Sequence, residues 1–213
     1  MQTKKEAIMT PESVDRTHFK AMYAGQPPWD IGRPQQAFVE VADQITGSIL
    51  DSGCGTGENA LYFATRGHKV TGIDFLAGPI EAAKQKASER RLTATFLVMD
   101  ALAIKELPEV FDSAIDCGLF HVFSDDDRRR YVDGLATVLR PGGRLFLHCF
   151  SDAEPEGQGP RRISRQEIEE AFAEGWVLES IEPSRYEVRP DREDMGFSVG
   201  GPKAWFVVAR RGA

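Results

Sequence analysis

Between residues 49 and 150, short apolar runs alternate with longer stretches whose apolar positions recur every three or four residues. The runs at 49–51, 69–74, 95–99, 113–117 and 144–150 read as strands, and the stretches at 58–66, 79–91 and 125–139 as helices. Alternation of this kind predicts a doubly wound α/β fold, in which helices cover both faces of a parallel sheet. Ahead of it, Phe19, Met22 and Tyr23 share one face of a helical pattern over 11–23, and Phe38, Val39, Ala42 and Ile45 mark a second. Behind it, Ser164 and Glu167 form a capping box for a helix to about 174, followed by strand patterns at 177–181, running on toward 186–189, and at 204–209. Gly200-Gly201-Pro202 lies between those last patterns and suggests an antiparallel addition at one edge of the sheet.

Punctuation between elements supports this division. Ser124 followed by Asp125, Asp126 and Asp127 reads as an N-cap with an acidic first turn, where carboxylates offset the positive helix end. Arg140-Pro-Gly-Gly143 stops that helix, and 152–160 is too polar and broken for an element. One domain over 1–213 is expected: a helical lid at 1–46, a ligand-binding core at 47–150, and a C-terminal helix with edge strands at 151–213.

Charge and cysteine usage narrow the partners. A net charge of −7 opposes attachment to nucleic acid or to an anionic membrane. Cys54, Cys117 and Cys149 form no C-x-x-C pair and lie in or beside apolar runs, so neither a disulfide framework nor a metal site is expected. With no apolar run near the roughly 20 residues of a membrane span, a cytoplasmic protein acting on a small molecule is the expectation.

In an open parallel sheet, ligands bind beyond the carboxyl ends of the strands. Those ends carry Asp51 with the Gly53-Cys54-Gly55-Thr-Gly57 turn, then Asp74-Phe75, then Asp100-Ala101, then Cys117 and the Gly118 to His121 corner. Alternating glycines let the backbone turn sharply and approach a ligand. Asp74, about 20 residues beyond the turn, suits a pair of ribose hydroxyls. Asp51 decides between adenosine cofactors: a carboxylate there repels a pyrophosphate and stabilises a cation. S-adenosylmethionine carries an α-ammonium and a sulfonium, and Asp100 suits its adenine amino group.

Leu50-Asp-Ser-Gly-Cys-Gly-Thr-Gly57, Gly72-Ile-Asp74, Met99-Asp100 and Leu139-Arg-Pro-Gly-Gly143 together resemble the successive motifs of class I S-adenosylmethionine-dependent methyltransferases. The resemblance implies a seven-stranded sheet of order 3-2-1-4-5-7-6 with its last strand antiparallel. Pro28-Trp-Asp-Ile-Gly-Arg-Pro34 is similar to the branch holding thiopurine, halide/thiol, tellurite-resistance, heterocyclic-toxin and quinolone methyltransferases. In that branch the N-terminal segment folds over the cofactor, which implies contacts from Trp29 and Arg33, the latter to the methionine carboxylate.

For the acceptor, Phe19, Tyr23, Phe120, Phe123 and Tyr186 are the expected pocket residues, with His121 as a general base for a hydroxyl. Phe197 and Trp205 are further aromatics of interest, and His18 is a weaker base candidate. A phenol, quinol or hydroxyquinolone methylated on oxygen or nitrogen is the leading reading. A thiol, halide or tellurite nucleophile, a nicotinamide-dependent reductase and a non-catalytic binding module are the alternatives.

Overall fold

The computed structural model describes Ser13, residues 16–157 and residues 159–213, with the side chains of 192–194 outside the description. Its strands are Ile49–Ser52 (β1), Val70–Asp74 (β2), Thr95–Val98 (β3), Phe111–Cys117 (β4), Leu139–Phe150 (β5), Trp176–Arg185 (β6) and Lys203–Arg211 (β7). They form one seven-stranded sheet of order β3-β2-β1-β4-β5-β7-β6. The first five are parallel, whereas β7 runs antiparallel between β5 and β6. This is the order and direction implied by the resemblance.

The helices are Arg16–Tyr23 (α1), Gln36–Glu40 (α2), Glu58–Thr65 (α3), Ala77–Glu89 (α4), Asp125–Val138 (α5) and Arg165–Ala171 (α6). Successive strand residues enter opposite layers, as the pleat requires. On β5, Leu145 and Leu147 join the layer containing Tyr131 and Leu135 of α5, while Phe146 joins the layer with Leu61 of α3 and Ile80 of α4. β1 and β2 are buried along their whole length, as strands covered on both faces are.

Local chemistry sets several boundaries. Ser124 accepts from the Asp127 N–H at 3.1 Å, and Ser164 with Glu167 forms the expected capping box. The helix expected over 11–23 is described as Arg16–Tyr23; residues 11, 12, 14 and 15 lie outside the description. Its neighbour is shorter than its pattern, ending at Glu40 before a 3-10 turn at Ala42–Gln44. Further 3-10 turns at Ala101–Glu106, Phe120–Val122 and Pro190–Met195 have too few residues for a 3.6-residue period to show. The stretch Arg140–Gly143, expected as a turn, is absorbed into β5, with a register irregularity opposite Phe111 and Ser113. No helix among the described residues is long and apolar enough to cross a membrane.

Candidate active site

The chain runs β1 to β2 to β3 in one direction along the sheet and β4 to β5 in the other. The switch point therefore lies between β1 and β4, whose carboxyl ends are where an open sheet of this kind binds its ligand. At that point Gly53, Gly55 and Gly57 adopt φ values of +71°, +52° and +83°, a region that side chains disfavour. A Cβ on Gly57 would meet Ala83 at 2.8 Å and Phe96 at 3.0 Å, so this glycine lets α3 and α4 approach the sheet. A Cβ on Gly53 would stand 3.1 Å from the Leu119 side chain. The Cys54 N–H donates to the Ile73 carbonyl at 2.8 Å, which ties the turn to β2.

Three carboxylates stand around the turn with distinct environments. Asp51 is 1% exposed, and its Oδ2 has no hydrogen-bond partner. Burial, only partly offset by the Ala60 N–H, and then the charges of Asp116 and Asp74, push its pKa up to about 8. Asp74 is held at both oxygens: Oδ2 accepts from the Gly55 N–H at 3.1 Å and Oδ1 from the Leu76 N–H at 2.9 Å. It thus braces the glycine turn, and burial again raises its pKa. Asp100 accepts the Leu102 N–H at 2.9 Å and pairs with Arg16, so it caps its own 3-10 turn while anchoring α1; Ala101 follows it, buried.

α1 lies across this mouth. The Tyr23 hydroxyl accepts the indole N–H of Trp29 at 3.1 Å and stands 2.6 Å from the position of a Cβ on Gly55. Phe19 packs edge-on against Phe75 at 5.8 Å and against Trp29 at 6.2 Å. Ser13 extends the lid to the far side, accepting the Ser124 N–H and donating to Asp127 at the start of α5. Phe19, Tyr23, Trp29 and Phe75 therefore come together over the turn.

Arg33 is placed differently from expectation. Its Nη1 and Nη2 form a fork on the Glu187 carboxylate at 2.8 and 2.7 Å, which also accepts the Gln36 N–H. Gln35 joins the same clamp through two bonds with the Glu187 backbone. Arg33 was expected to hold the methionine carboxylate; in this structure its fork fixes the segment after the lid to the segment after β6.

At the end of β4, Gly118 has φ +87°. A methyl group grafted onto it would lie 3.5 Å from His121 Nε2 and 3.5 Å from the Tyr186 hydroxyl. The His121 Nδ1 accepts the Phe150 N–H at 2.9 Å, which fixes the ring proton on Nε2. Burial, then the charges of His148, Arg162 and Arg128, lower its pKa to about 3. Both features oppose the base role expected of His121. Protonation would aim an Nδ1–H at the backbone N–H, and Nε2 already carries its proton, so the ring is a hydrogen-bond donor.

Phe120 and Phe123 also fall elsewhere. Phe120 is fully buried, stacked on Phe172 at 5.9 Å and beneath the Arg128 guanidinium; Phe123 packs on Tyr131 at 5.1 Å. Both belong to the core, because the 3-10 turn at Phe120–Val122 rotates His121 toward Phe150 and its neighbours inward. Tyr186, by contrast, joins His121 and Phe150 in a small aromatic cluster with Phe197 at its edge. Cys117 is partly buried at the end of β4, with its thiol pKa pushed up by burial and by Asp51 and Asp116. Trp205 lies away from this corner, donating to the Ile163 carbonyl at 2.9 Å.

Sequence reasoning missed Glu187, Gln35, Leu119, Arg16 and Ser13. Glu187 and Arg33 are 154 positions apart, and no periodicity links them. The cofactor fits these residues. An unpartnered carboxylate oxygen buried beside a left-handed glycine turn suits a cationic group and leaves no place for a pyrophosphate. When bound, S-adenosylmethionine supplies an electrophilic methyl; Asp51 would hold its α-ammonium, the turn its backbone-facing side and Asp74 its ribose.

Comparison with known proteins agrees. A methyltransferase domain model matches residues 49–143. The 2-heptyl-1-hydroxyquinolin-4(1H)-one methyltransferase of Mycobacteroides abscessus is 34% identical over 195 residues, covering 89% of this chain and 84% of that protein. A probable thiol methyltransferase of Arabidopsis thaliana is 29% identical over 72% of this chain and 70% of its own length. A solved structure from work on the conversion of a disulfide bond into a thioacetal group during echinomycin biosynthesis superposes with a TM-score of 0.82 at 35% identity, covering 93% of each chain. The chain belongs to the S-adenosylmethionine-dependent methyltransferases and is an enzyme of that class.

Proposed function

We propose that this methyltransferase acts on an oxygen of a small aromatic or heteroaromatic hydroxyl compound of the phenol, quinol or hydroxyquinolone type. The observation that carries the reading is the corner beside Gly118, where His121 Nε2 and the Tyr186 hydroxyl each stand 3.5 Å from the position of a Cβ on that glycine, within an aromatic cluster. A flat ring packs against Phe150 and Tyr186, and its oxygen finds polar partners at the end of β4. The 34% identical relative, named for a hydroxyquinolone substrate, supports the same choice.

In-line transfer needs the acceptor oxygen opposite the sulfur, about 3 Å from the methyl. Charge disperses as the methyl moves, so exclusion of water is the main service of the protein. The lid of Phe19, Tyr23 and Trp29 supplies that exclusion, and the Arg33–Glu187 clamp holds it in register. Residues 16–46 thus act as a lid on a single methyltransferase domain. Three free thiols fit a reducing, cytoplasmic setting.

A thiol acceptor is the second reading, favoured by the absence of a base at His121 and by the Arabidopsis relative. The two separate in a panel of 4-nitrophenol, 2-heptyl-1-hydroxyquinolin-4(1H)-one, thiophenol and iodide, scored by S-adenosylhomocysteine release. Turnover of the two hydroxyl compounds at least tenfold above the others supports the proposal. Turnover confined to thiophenol or iodide overturns it.

A further inference from the structure

We infer that α1 is a latch on the donor site: Arg16 holds the place of the adenine ring, and it must leave Asp100 and Phe75 before S-adenosylmethionine enters. The latch belongs to the donor side and operates whichever acceptor is used. Arg16, Phe19 and Tyr23 recur at helical spacing, so one face of α1 presents all three to the strand ends. Tyr23 stands over Gly55, beyond β1; Phe19 packs on Phe75, beyond β2; Arg16 pairs with Asp100, beyond β3. The helix thus runs across β1, β2 and β3. A cofactor with its ammonium at Asp51 and its ribose at Asp74 follows the same line.

The adenine ring then lies about one strand spacing beyond the ribose, ~4.8 Å along the sheet. The Met99 N–H donates to the Asp74 carbonyl at 2.9 Å, so the chain leaves β3 toward Asp100 alongside Phe75. There a flat ring would stack on Phe75 and donate its amino group to Asp100. Arg16 makes both kinds of contact: its guanidinium lies over the Phe75 ring, 5.1 Å from the centroid, and its Nη2 donates to Asp100 Oδ2. The other oxygen of Asp100 accepts the Leu102 N–H. One planar cation therefore takes the ring and the available carboxylate oxygen together, and adenine and guanidinium exclude each other.

Little holds the latch shut. No residue of α1 is fully buried, and the Arg16 and Asp100 side chains are 62% and 39% exposed, so their pair is a surface ion pair that contributes little. Ahead of the helix, Ser13 donates to Asp127 and accepts the Ser124 N–H. Contacts of this size leave a minor open population, and the measured affinity is the intrinsic one reduced by that open fraction. After entry, Phe19, Tyr23 and Trp29 close over the cofactor with the Arg16 chain turned to solvent.

Two measurements on the full-length protein test this. In the first, Arg16→Ala is titrated with S-adenosylhomocysteine and with 5′-methylthioadenosine, a neutral probe of the adenosine half. Both are expected to bind about three- to tenfold tighter than they bind the unaltered protein, the size set by one exposed ion pair and one cation–π contact. The gain should lie in faster association, read by stopped-flow tryptophan fluorescence. Weaker binding would make Arg16 a clasp on the bound cofactor, and equal binding would leave it without a role; either result overturns the inference.

The second measurement uses ionic strength, which shortens the Debye length from about 10 Å at about 0.1 M salt to about 3 Å at about 1 M. Over that range the gap in 5′-methylthioadenosine affinity between the unaltered protein and Arg16→Ala is expected to narrow. A gap that stays constant or widens overturns the inference.

Discussion

The Tyr23 hydroxyl occupies the space that a side chain on Gly55 would need, 2.6 Å from where its Cβ would stand. One residue of the lid and one of the cofactor turn are thereby matched to each other, and the left-handed φ of Gly55 makes substitution costly in any case. Gly55→Ala is expected to weaken S-adenosylhomocysteine binding at least a hundredfold in calorimetric titration. Tyr23→Phe, which loses only the bond from Trp29, is expected to weaken it less than tenfold.

Asp51 ties cofactor binding to pH. Without a cation its carboxyl holds a proton up to about pH 8; an adjacent ammonium makes it ionise. Affinity for S-adenosylhomocysteine is expected to rise from pH 6 to pH 8 and then level off. Calorimetry at pH 7 in two buffers of different ionisation enthalpy should show proton release on binding, and Asp51→Asn should abolish both the release and most of the affinity.

The same group shapes the stability of the ligand-free protein. Asp51 is raised to about 8 and Asp116 to about 7, above their unfolded value of about 3.9, so each holds a proton in the folded state that the unfolded chain has released. Their contribution is full below about pH 4 and is lost as pH rises through 7 to 8. Asp51→Asn is expected to raise the Tm by a few degrees at pH 8 and to flatten this fall, measured by thermal unfolding from pH 5 to pH 8.

The fold was legible because its signals are local. β1 and β2 are strands of four and five residues, each read from its own short stretch of sequence, and the Ser164–Glu167 box sits in four consecutive positions. Asp51 was legible as a position: its carboxylate stands buried beside the glycine turn with one oxygen unpartnered. The clamp between Arg33 and Glu187 was not, since the two meet only after β6 and β7 have docked. Nor was the orientation of Phe120, His121 and Phe123. A 3-10 turn of three residues decides what each of them packs against, and strand-end position alone says nothing about that rotation.

Glu187 is expected to act on the lid rather than on the core. Arg33 and Glu187 are half and one-third exposed, so Glu187→Ala should cost less than about 1 kcal/mol in urea unfolding. The segment after the lid loses the Arg33 and Gln36 contacts together and keeps the two Gln35 bonds to the residue 187 backbone, so the KM for S-adenosylmethionine should rise several-fold with little change in kcat. Arg33→Lys, which cannot form the two-pronged bond, should behave similarly.

Phe120 offers the opposite test. As a fully buried ring between Phe172 and Arg128, it should cost about 3–5 kcal/mol on replacement by Ala in urea unfolding. The ranking of acceptors should stay the same, whereas Phe150→Ala, at the Gly118 corner, should reorder it.

The most direct test of the central claim is the fate of the methyl group. With methyl-deuterated S-adenosylmethionine and 2-heptyl-1-hydroxyquinolin-4(1H)-one, mass spectrometry and NMR should locate the labelled methyl on the oxygen of the N-hydroxyl. Label on a ring nitrogen or carbon, or an unlabelled acceptor recovered alongside a methylated thiol control, would contradict the account.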